Sequence, residues 1–270
     1  MKKVLIVGKN SYIGDSFFAK YSDVFDIAII DSMKPLTKEL FVGYDAVIHL
    51  AGIAHVSTKR NMRDLYLKVN RDLAIQSCDL SYDSGCKQFI FMSSMIIYGD
   101  DKIIGKDFVI NDKTEPHPSN FYGLSKLEAD NYVSSKNDSL FKTLVIRSPM
   151  VYGDGSKGNY SKLMNLSLKL PFVPLIKNKR SVISIDNLCL FFKNAILNEM
   201  NGITYPQDPH YFCTSTTMEN NRKANGLKTH TTRIFNPLII FLSLFSSKLR
   251  KMFGTKIYEI GCLHEDGVKY

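Results

Sequence analysis

Cysteine is sparse and scattered: Cys78, Cys86, Cys189, Cys213 and Cys262 are odd in number and widely spaced, with no Cys-x-x-Cys pair among them. That pattern excludes a disulfide framework and offers no motif for zinc or dithiol chemistry, so no metal site is expected and the thiols read as reduced. Long apolar runs are also missing. Val4 to Val7 meets Gly8 at once, too short a run for the core of an export signal, and Leu238 to Phe245 falls far short of the ~20 residues a membrane-crossing helix needs. A cytoplasmic chain without a transmembrane segment is expected. Without a secretory signal, the glycosylation-type sites at Asn137, Asn159 and Asn165 carry no weight. No fixed-period repeat or low-complexity tract occurs.

Acidic residues are absent between Asn221 and Lys256, a stretch that holds Arg222, Lys223, Lys228, Arg233, Lys248, Arg250, Lys251 and Lys256. With a net charge of +9, the chain suits an anionic partner: nucleic acid, an acidic membrane or a diphosphate substrate. No nucleic-acid reader motif or regular basic helix face is present, so nucleic acid is not expected as a partner. Leu238 to Phe245 reads first as a buried helix of a smaller lobe. With Lys248, Arg250 and Lys251 behind it, weak peripheral membrane contact is the alternative.

At 270 residues the chain can bury one sizeable core with a smaller lobe attached. Apolar strand candidates recur at Lys3 to Val7, Asp26 to Ile30, Ala46 to Leu50, Gln88 to Met92 and Thr143 to Arg147. Between them, Ser16 to Tyr21, Met62 to Ser84 and Asn120 to Lys136 have helical composition. Such alternation predicts an α/β fold, a parallel sheet covered by helices. Asp100 to Ser119, with Pro116 and Pro118, reads as surface loop. Beyond Arg147 the alternation weakens. The expected division is therefore a dinucleotide-binding domain over residues 1–155 and a smaller substrate-binding lobe over 156–270, with some segments returning to the first domain. Cys213 to Arg233 is polar with little apolar periodicity, where such a lobe calls for a helix.

Gly8-Lys9-Asn10-Ser11-Tyr12-Ile13-Gly14 lies between the first strand and its helix, where backbone N–H groups and the helix N-terminus can hold a pyrophosphate. Asp31 follows seventeen residues after Gly14, near the spacing at which a carboxylate meets the adenosine ribose; that favours NAD. Lys9 and Lys34 could pair with the extra phosphate of NADP, so NADP stays open. Tyr122 and Lys126 share one helix face, an arrangement in which a nearby ammonium favours the phenolate of a proton-transferring tyrosine. Ser93 and Ser94 follow the fourth strand candidate at the carboxyl edge of the sheet, where open α/β sheets bind ligands, and Ser94 can hydrogen-bond the reacting oxygen.

Taken in order, Val4 to Gly14, Asp45-Ala-Val-Ile-His49-Leu-Ala-Gly52, Asn70, Phe91 to Gly99, Tyr122-Gly-Leu-Ser-Lys126 and Arg147-Ser-Pro-Met-Val-Tyr-Gly153 resemble the extended short-chain dehydrogenase/reductases. Within that group the likeness is greatest to bacterial nucleotide-sugar epimerases and reductases of surface-polysaccharide (O antigen, capsule) pathways, and it thins beyond Asn187. The resemblance implies a Rossmann-type doubly wound sheet, an active site of Ser94, Tyr122 and Lys126, and a nicotinamide side lined by Leu50, Ala51, Gly52, Ser93 and the Pro149 segment. It also implies support from Asn70, diphosphate contacts at Asn159 and Arg180, a UDP-sugar substrate and a homodimer. Two positions depart from the pattern: Ser11 stands where a middle glycine is usual, and Met95-Ile96 replaces the Asp-Glu pair of the sugar dehydratases. The reaction expected is C4 epimerisation through transient oxidation by NAD; a one-way 4-keto reductase and a catalytically silent nicotinamide sensor are the alternatives.

Overall fold

The computed structural model describes residues 1–54, 62–156 and 158–260. Cys262 lies outside them. In chain order the elements are β1 (Lys3–Val7), α1 (Tyr12–Tyr21), β2 (Asp26–Ile30), β3 (Ala46–His49) and α2 (Arg63–Tyr66). A widened π-helical stretch, Leu67–Asp72, joins α2 to α3 (Leu73–Asp83). There follow β4 (Gln88–Ser94), β5 (Asp107–Ile110), α4 (Phe121–Ser135), β6 (Lys142–Ser148), β7 (Met150–Tyr152) and α5 (Asn159–Lys169). The remainder is β8 (Val173–Pro174), β9 (Val182–Ser184), α6 (Ile185–Leu197), β10 (Gly202–Thr204), α7 (Thr214–Ala224), β11 (Thr231–Thr232), α8 (Asn236–Ser243), α9 (Ser247–Phe253) and β12 (Thr255–Tyr258).

Six strands form the main sheet in the order β10-β6-β4-β3-β1-β2, all parallel. The central strands are buried on both faces, as parallel sheets require, and the β-branched runs supply that: Val4 to Val7 and Ala46 to Ile48 are at most 1% exposed. On one face, α1 and α6 cover the sheet through Phe17, Leu188, Phe191 and Phe192. On the other, α3 and α4 cover it through Ala74, Cys78, Ala129 and Val133. This is the doubly wound, Rossmann-type arrangement. Strand order reverses between β1 and β3, and the carboxyl ends of those strands are where such sheets bind ligands. Between β2 and β3 the chain makes only a 3-10 turn, Lys38–Phe41.

Three short pairs lie outside the main sheet: β7 with β9, β8 with β11 and β12 with β5. The last pair corrects the reading of Asp100 to Ser119 as loop alone. Asp107–Ile110 becomes a strand because Thr255–Tyr258, far along the chain, lies parallel to it, and no local pattern encodes a partner that distant. Residues 182–204 run back onto the main sheet, where α6 packs on α1 and β10 pairs with β6.

Two expectations for the second half change. Thr214–Ala224 is helical despite its polar composition, because its contacts are hydrogen bonds rather than an apolar stripe. The buried Arg222 guanidinium donates to the carbonyls of Ser167, Leu170 and Lys228 at 2.8, 2.5 and 2.9 Å, and Asn221 donates to Met164 O and Ser167 Oγ. Only Met218 on this helix joins the local apolar cluster. The second change is α8, which is not a buried helix. Ile239 packs inward and Ser243 is fully buried, while the other apolar side chains of Leu238 to Phe245 stand largely in solvent.

Candidate active site

Gly8 leaves β1 with φ +132°, a conformation side chains avoid, and a Cβ there would stand 2.9 Å from the Ala51 nitrogen. The turn therefore presses on the end of β3, where Leu50 and Ala51 donate their N–H groups to Val7 O at 3.0 and 2.9 Å. Asn10 is left-handed at φ 61°, a conformation asparagine tolerates. Ser11 caps α1, its hydroxyl accepting from Gly14 N at 3.3 Å, and its φ of −75° suits any residue. The missing middle glycine thus costs no backbone strain here. A Cβ on Gly14 would come within 3.3 Å of Ile6 and Leu50. Tyr12 and Ile13 pack on the core, and the Tyr12 hydroxyl lies under Gly153.

Asp31 follows β2 directly. Gly8 N donates to the carbonyl of Ile30 at 3.1 Å, which brings the end of β2 beside the glycine turn. One carboxylate oxygen accepts from Met33 N at 2.9 Å, and Lys9 and Lys34 are exposed.

Gly52 continues from β3 into the centre of the site, where a Cβ would lie 3.0 Å from Asn70 Oδ1 and 3.5 Å from Lys126 Nζ. Asn70 sits in the π-helical stretch, a distortion frequent at functional sites, and is fully buried. It accepts from Ile53 N at 2.8 Å and donates to Ile53 O at 3.0 Å and Ser125 Oγ at 3.2 Å. One amide thereby fixes the loop after β3 to the middle of α4.

Helix α4 begins where Asn120 accepts from Gly123 N at 2.9 Å. Gly123 is seated so tightly that a Cβ would lie 2.9 Å from Pro118 and 3.1 Å from the Ile96 carbonyl. That close approach sets the first turn of α4 against the 3-10 turn after Ser94. Ser94 caps the 3-10 turn, accepting from Ile96 N at 3.3 Å, and stands beside the Tyr122 phenol, where its hydroxyl favours the phenolate. One turn along, Lys126 is 6% exposed and donates to Met92 O at 2.8 Å, its ammonium 4.7 Å from the centre of the Phe91 ring. Burial pulls the Lys126 amine down to about 8, with Asp130 opposing, and burial raises the Tyr122 phenol, with Ser94 opposing. In the protein alone burial therefore makes the phenol less acidic than usual, and the opposing influence comes from Ser94 rather than from the ammonium that the spacing suggested. Ser93 turns the other way, its hydroxyl donating to Asp130 at 2.8 Å, so only its backbone borders the site. Pro149 is buried at the carboxyl end of β6.

Five groups here were not given a role from sequence. Asp130 and Arg147 form a buried pair, Nε to Oδ2 at 3.0 Å and Nη2 to Oδ1 at 2.9 Å, and Arg147 Nη1 reaches the hydroxyls of Tyr98 and Tyr205. The fifth, Tyr66, stacks obliquely against Tyr122 at 6.0 Å. The spacing Tyr122, Lys126, Asp130 was available as a clue, since it continues one helix face. His49 lies fully buried against Phe89 and Phe91, and burial lowers its imidazole to about 3, which rules it out as a base at neutral pH.

The two substrate-contact candidates lie in the lobe. Asn159 is exposed at the first position of α5. Arg180 pairs with Asp101 at 2.8 Å and donates to Gly254 O at 3.2 Å. Nearby, a cavity of about 340 Å³ is lined by Tyr152, Tyr160, Asp208, His210, Tyr211 and Phe212. Neither Ser94 nor Tyr122 lines it.

A glycine turn at the switch point of a parallel sheet, with a Ser/Tyr/Lys face beside it, defines a dinucleotide-binding α/β protein. Residues 4–170 match the model of the NAD dependent epimerase/dehydratase family, and the chain belongs to that family. A UDP-glucose 4-epimerase of Vibrio cholerae is 38% identical over 148 residues, 53% of this chain. The match spans only 44% of that relative's length. Among solved structures, a UDP-N-acetylglucosamine 4-epimerase from Methanobrevibacter ruminantium superposes with a TM-score of 0.72 at 17% identity, covering 85% of this chain and 84% of the other. A dTDP-4-dehydrorhamnose reductase from Clostridium acetobutylicum gives 0.69 at 18%, covering 85% and 83%. At such identities the agreement concerns the fold. The residues fit the family's NAD: Gly8, Gly14 and Gly52 are packed so closely on Ala51, Leu50 and Asn70 that side chains are excluded, and the bare glycine turn runs directly into the N-terminus of α1. Among the described residues, no helix is long and apolar enough to cross a membrane.

Proposed function

We propose that the chain is an NAD-dependent nucleotide-sugar 4-epimerase acting on UDP-GlcNAc or UDP-Glc. The observation that carries this reading is the convergence of Ser94, Tyr122 and Lys126 beside Gly52 and Asn70, at the carboxyl ends of β3 and β4. Gly8, Asn10, Ser11, Tyr12, Ile13 and Gly14 hold the pyrophosphate and Asp31 the adenosine ribose. Leu50, Ala51, Gly52, the Ser93 backbone and Pro149 border the nicotinamide. When bound there, NAD would supply reversible hydride acceptance for C4 and a positive charge that favours the Tyr122 phenolate.

Tyr122 removes the proton of the C4 hydroxyl, and Ser94 hydrogen-bonds the same oxygen. Lys126, fixed by the Met92 carbonyl, holds positive charge below the phenolate. Asn159 and Arg180 contact the diphosphate from the lobe, Arg180 exchanging part of its pairing with Asp101 for phosphate. Elimination chemistry has no support, because Met95 is buried and Ile96 beside it has no proton to give or take.

The test is NMR of UDP-GlcNAc or UDP-Glc incubated with the purified protein and substoichiometric NAD. Inversion at C4 without net cofactor reduction is the expected result. Stoichiometric oxidation of reduced cofactor with a 4-keto sugar, in place of inversion, would make the chain a reductase. Cofactor binding without either reaction would make it a sensor.

A further inference from the structure

The basic, acid-free stretch and the apolar run within it are not used by the reaction, and apart from the buried Arg222 and Lys256 the fold leaves the run and the cations at the surface. Ile234, Leu238, Phe241, Leu242 and Phe245 recur at helical spacing along and beside α8, and are 81%, 55%, 57%, 43% and 78% exposed. Ile239 and Ser243, four residues apart, turn inward: Ile239 joins the lobe cluster, and Ser243 Oγ accepts from Ile104 N at 3.4 Å. The helix is thus anchored by its narrow inner side and presents a wide apolar outer one. Phe235, Ile240 and Leu244 border that surface at 40–48% exposed. A contiguous apolar patch rimmed by polar groups marks an interaction site rather than ordinary surface.

The rim is predominantly basic, although Asp100, Asp101 and Asp107 share the 100–107 segment, with Asp101 paired to Arg180. Arg233 precedes the patch, Lys248, Arg250 and Lys251 follow it on α9, and Lys102 and Lys106 flank Ile104, which bonds to Ser243. From Asn220 to Tyr258 there is no carboxylate side chain. Large aromatic and aliphatic side chains on one side, with cations around them, match the boundary between acyl chains and anionic headgroups.

We propose that α8 and its flanks dock this protein on anionic phospholipid membranes, with Leu238, Phe241 and Phe245 entering the acyl boundary and the surrounding lysines and arginines meeting the headgroups. The full chain is tested by co-sedimentation with vesicles of zwitterionic lipid alone or mixed with phosphatidylglycerol. Binding is expected only to the mixed vesicles, and it should be lost at about 0.5 M salt, where screening shortens the reach of the charges to a few Å. The double variant Phe241→Glu with Phe245→Glu should bind at least ~10-fold more weakly, a loss of about 1.4 kcal/mol or more, while its melting temperature and NAD affinity stay unchanged. Absence of binding to the mixed vesicles, or equal binding by the variant, would overturn the proposal. So would a dimer, seen by light scattering without vesicle binding, that the double variant dissociates; the surface would then belong to a second copy.

Discussion

The main sheet with its covering helices and the segments around α5, α7 and α9 are stabilised in different ways. Around β1, β3 and β4 the core is a continuous layer of Val, Leu, Ile and Phe with almost no exposure. In the lobe, α7 is held by the three carbonyl contacts of Arg222 and by Asn178, which accepts from Thr214 N at 2.9 Å. An apolar interior tolerates small losses in packing, whereas a buried polar network fails when one member is removed and its partners are left unpaired. The difference teaches that the cofactor end and the lobe can be broken separately.

The largest effect should follow from Arg222→Ala, which removes a buried guanidinium from three carbonyls, one of them in a fully buried contact, and should cost about 3 kcal/mol. Denaturant unfolding should show the lobe lost first, with NAD binding surviving to higher denaturant. If NAD binding is lost in the same transition, the two regions are one cooperative unit.

Lys126→Met should act in the opposite sense on stability while abolishing turnover. The native amine sits near 8 against about 10.5 when unfolded, so its burial penalty is fully present below pH 8 and is relieved as pH rises toward 10.5. The variant should therefore be more stable than the parent at neutral pH, by about 3 kcal/mol at most, and the gap should close through that window. A gap independent of pH would mean that the lysine is not buried as a cation.

Gly8→Val should weaken NAD binding by ~100-fold, since any side chain there meets Ala51 and fills the cradle, with the lobe unaffected; titration calorimetry checks it. The smallest effect is that of Asp31→Ala, which should reduce the preference for NAD over NADP by ~10-fold, measured as a ratio of affinities.

The same contrast explains what could be read from the sequence. Each of the five strand runs became a strand of the main sheet, and Gly8 to Gly14 became its turn and helix start, because these signals are local: β-branched runs, a glycine turn, a cap. That Tyr122 and Lys126 lie one turn apart on a helix followed from their spacing, while their chemical role was read from the serine pair and glycine turn beside them. What escaped depends on distant pairing or on polar contacts without a period. β5 exists only through β12. Helix α7 carries one core side chain, Met218, and a buried arginine that composition would place in solvent. The raised phenol of Tyr122 escaped for another reason: spacing reveals that an ammonium is near, but not that both groups have lost their water.

The claim on which the chemistry depends is that the phenol of Tyr122 moves the proton at C4. Tyr122→Phe removes one oxygen and leaves the ring contact with Tyr66 in place. Turnover of the UDP-sugar, measured by NMR beside an NAD titration of the same sample, should fall by about 10²–10⁴-fold with cofactor affinity within about threefold of the parent. Unchanged turnover in that variant would contradict the account.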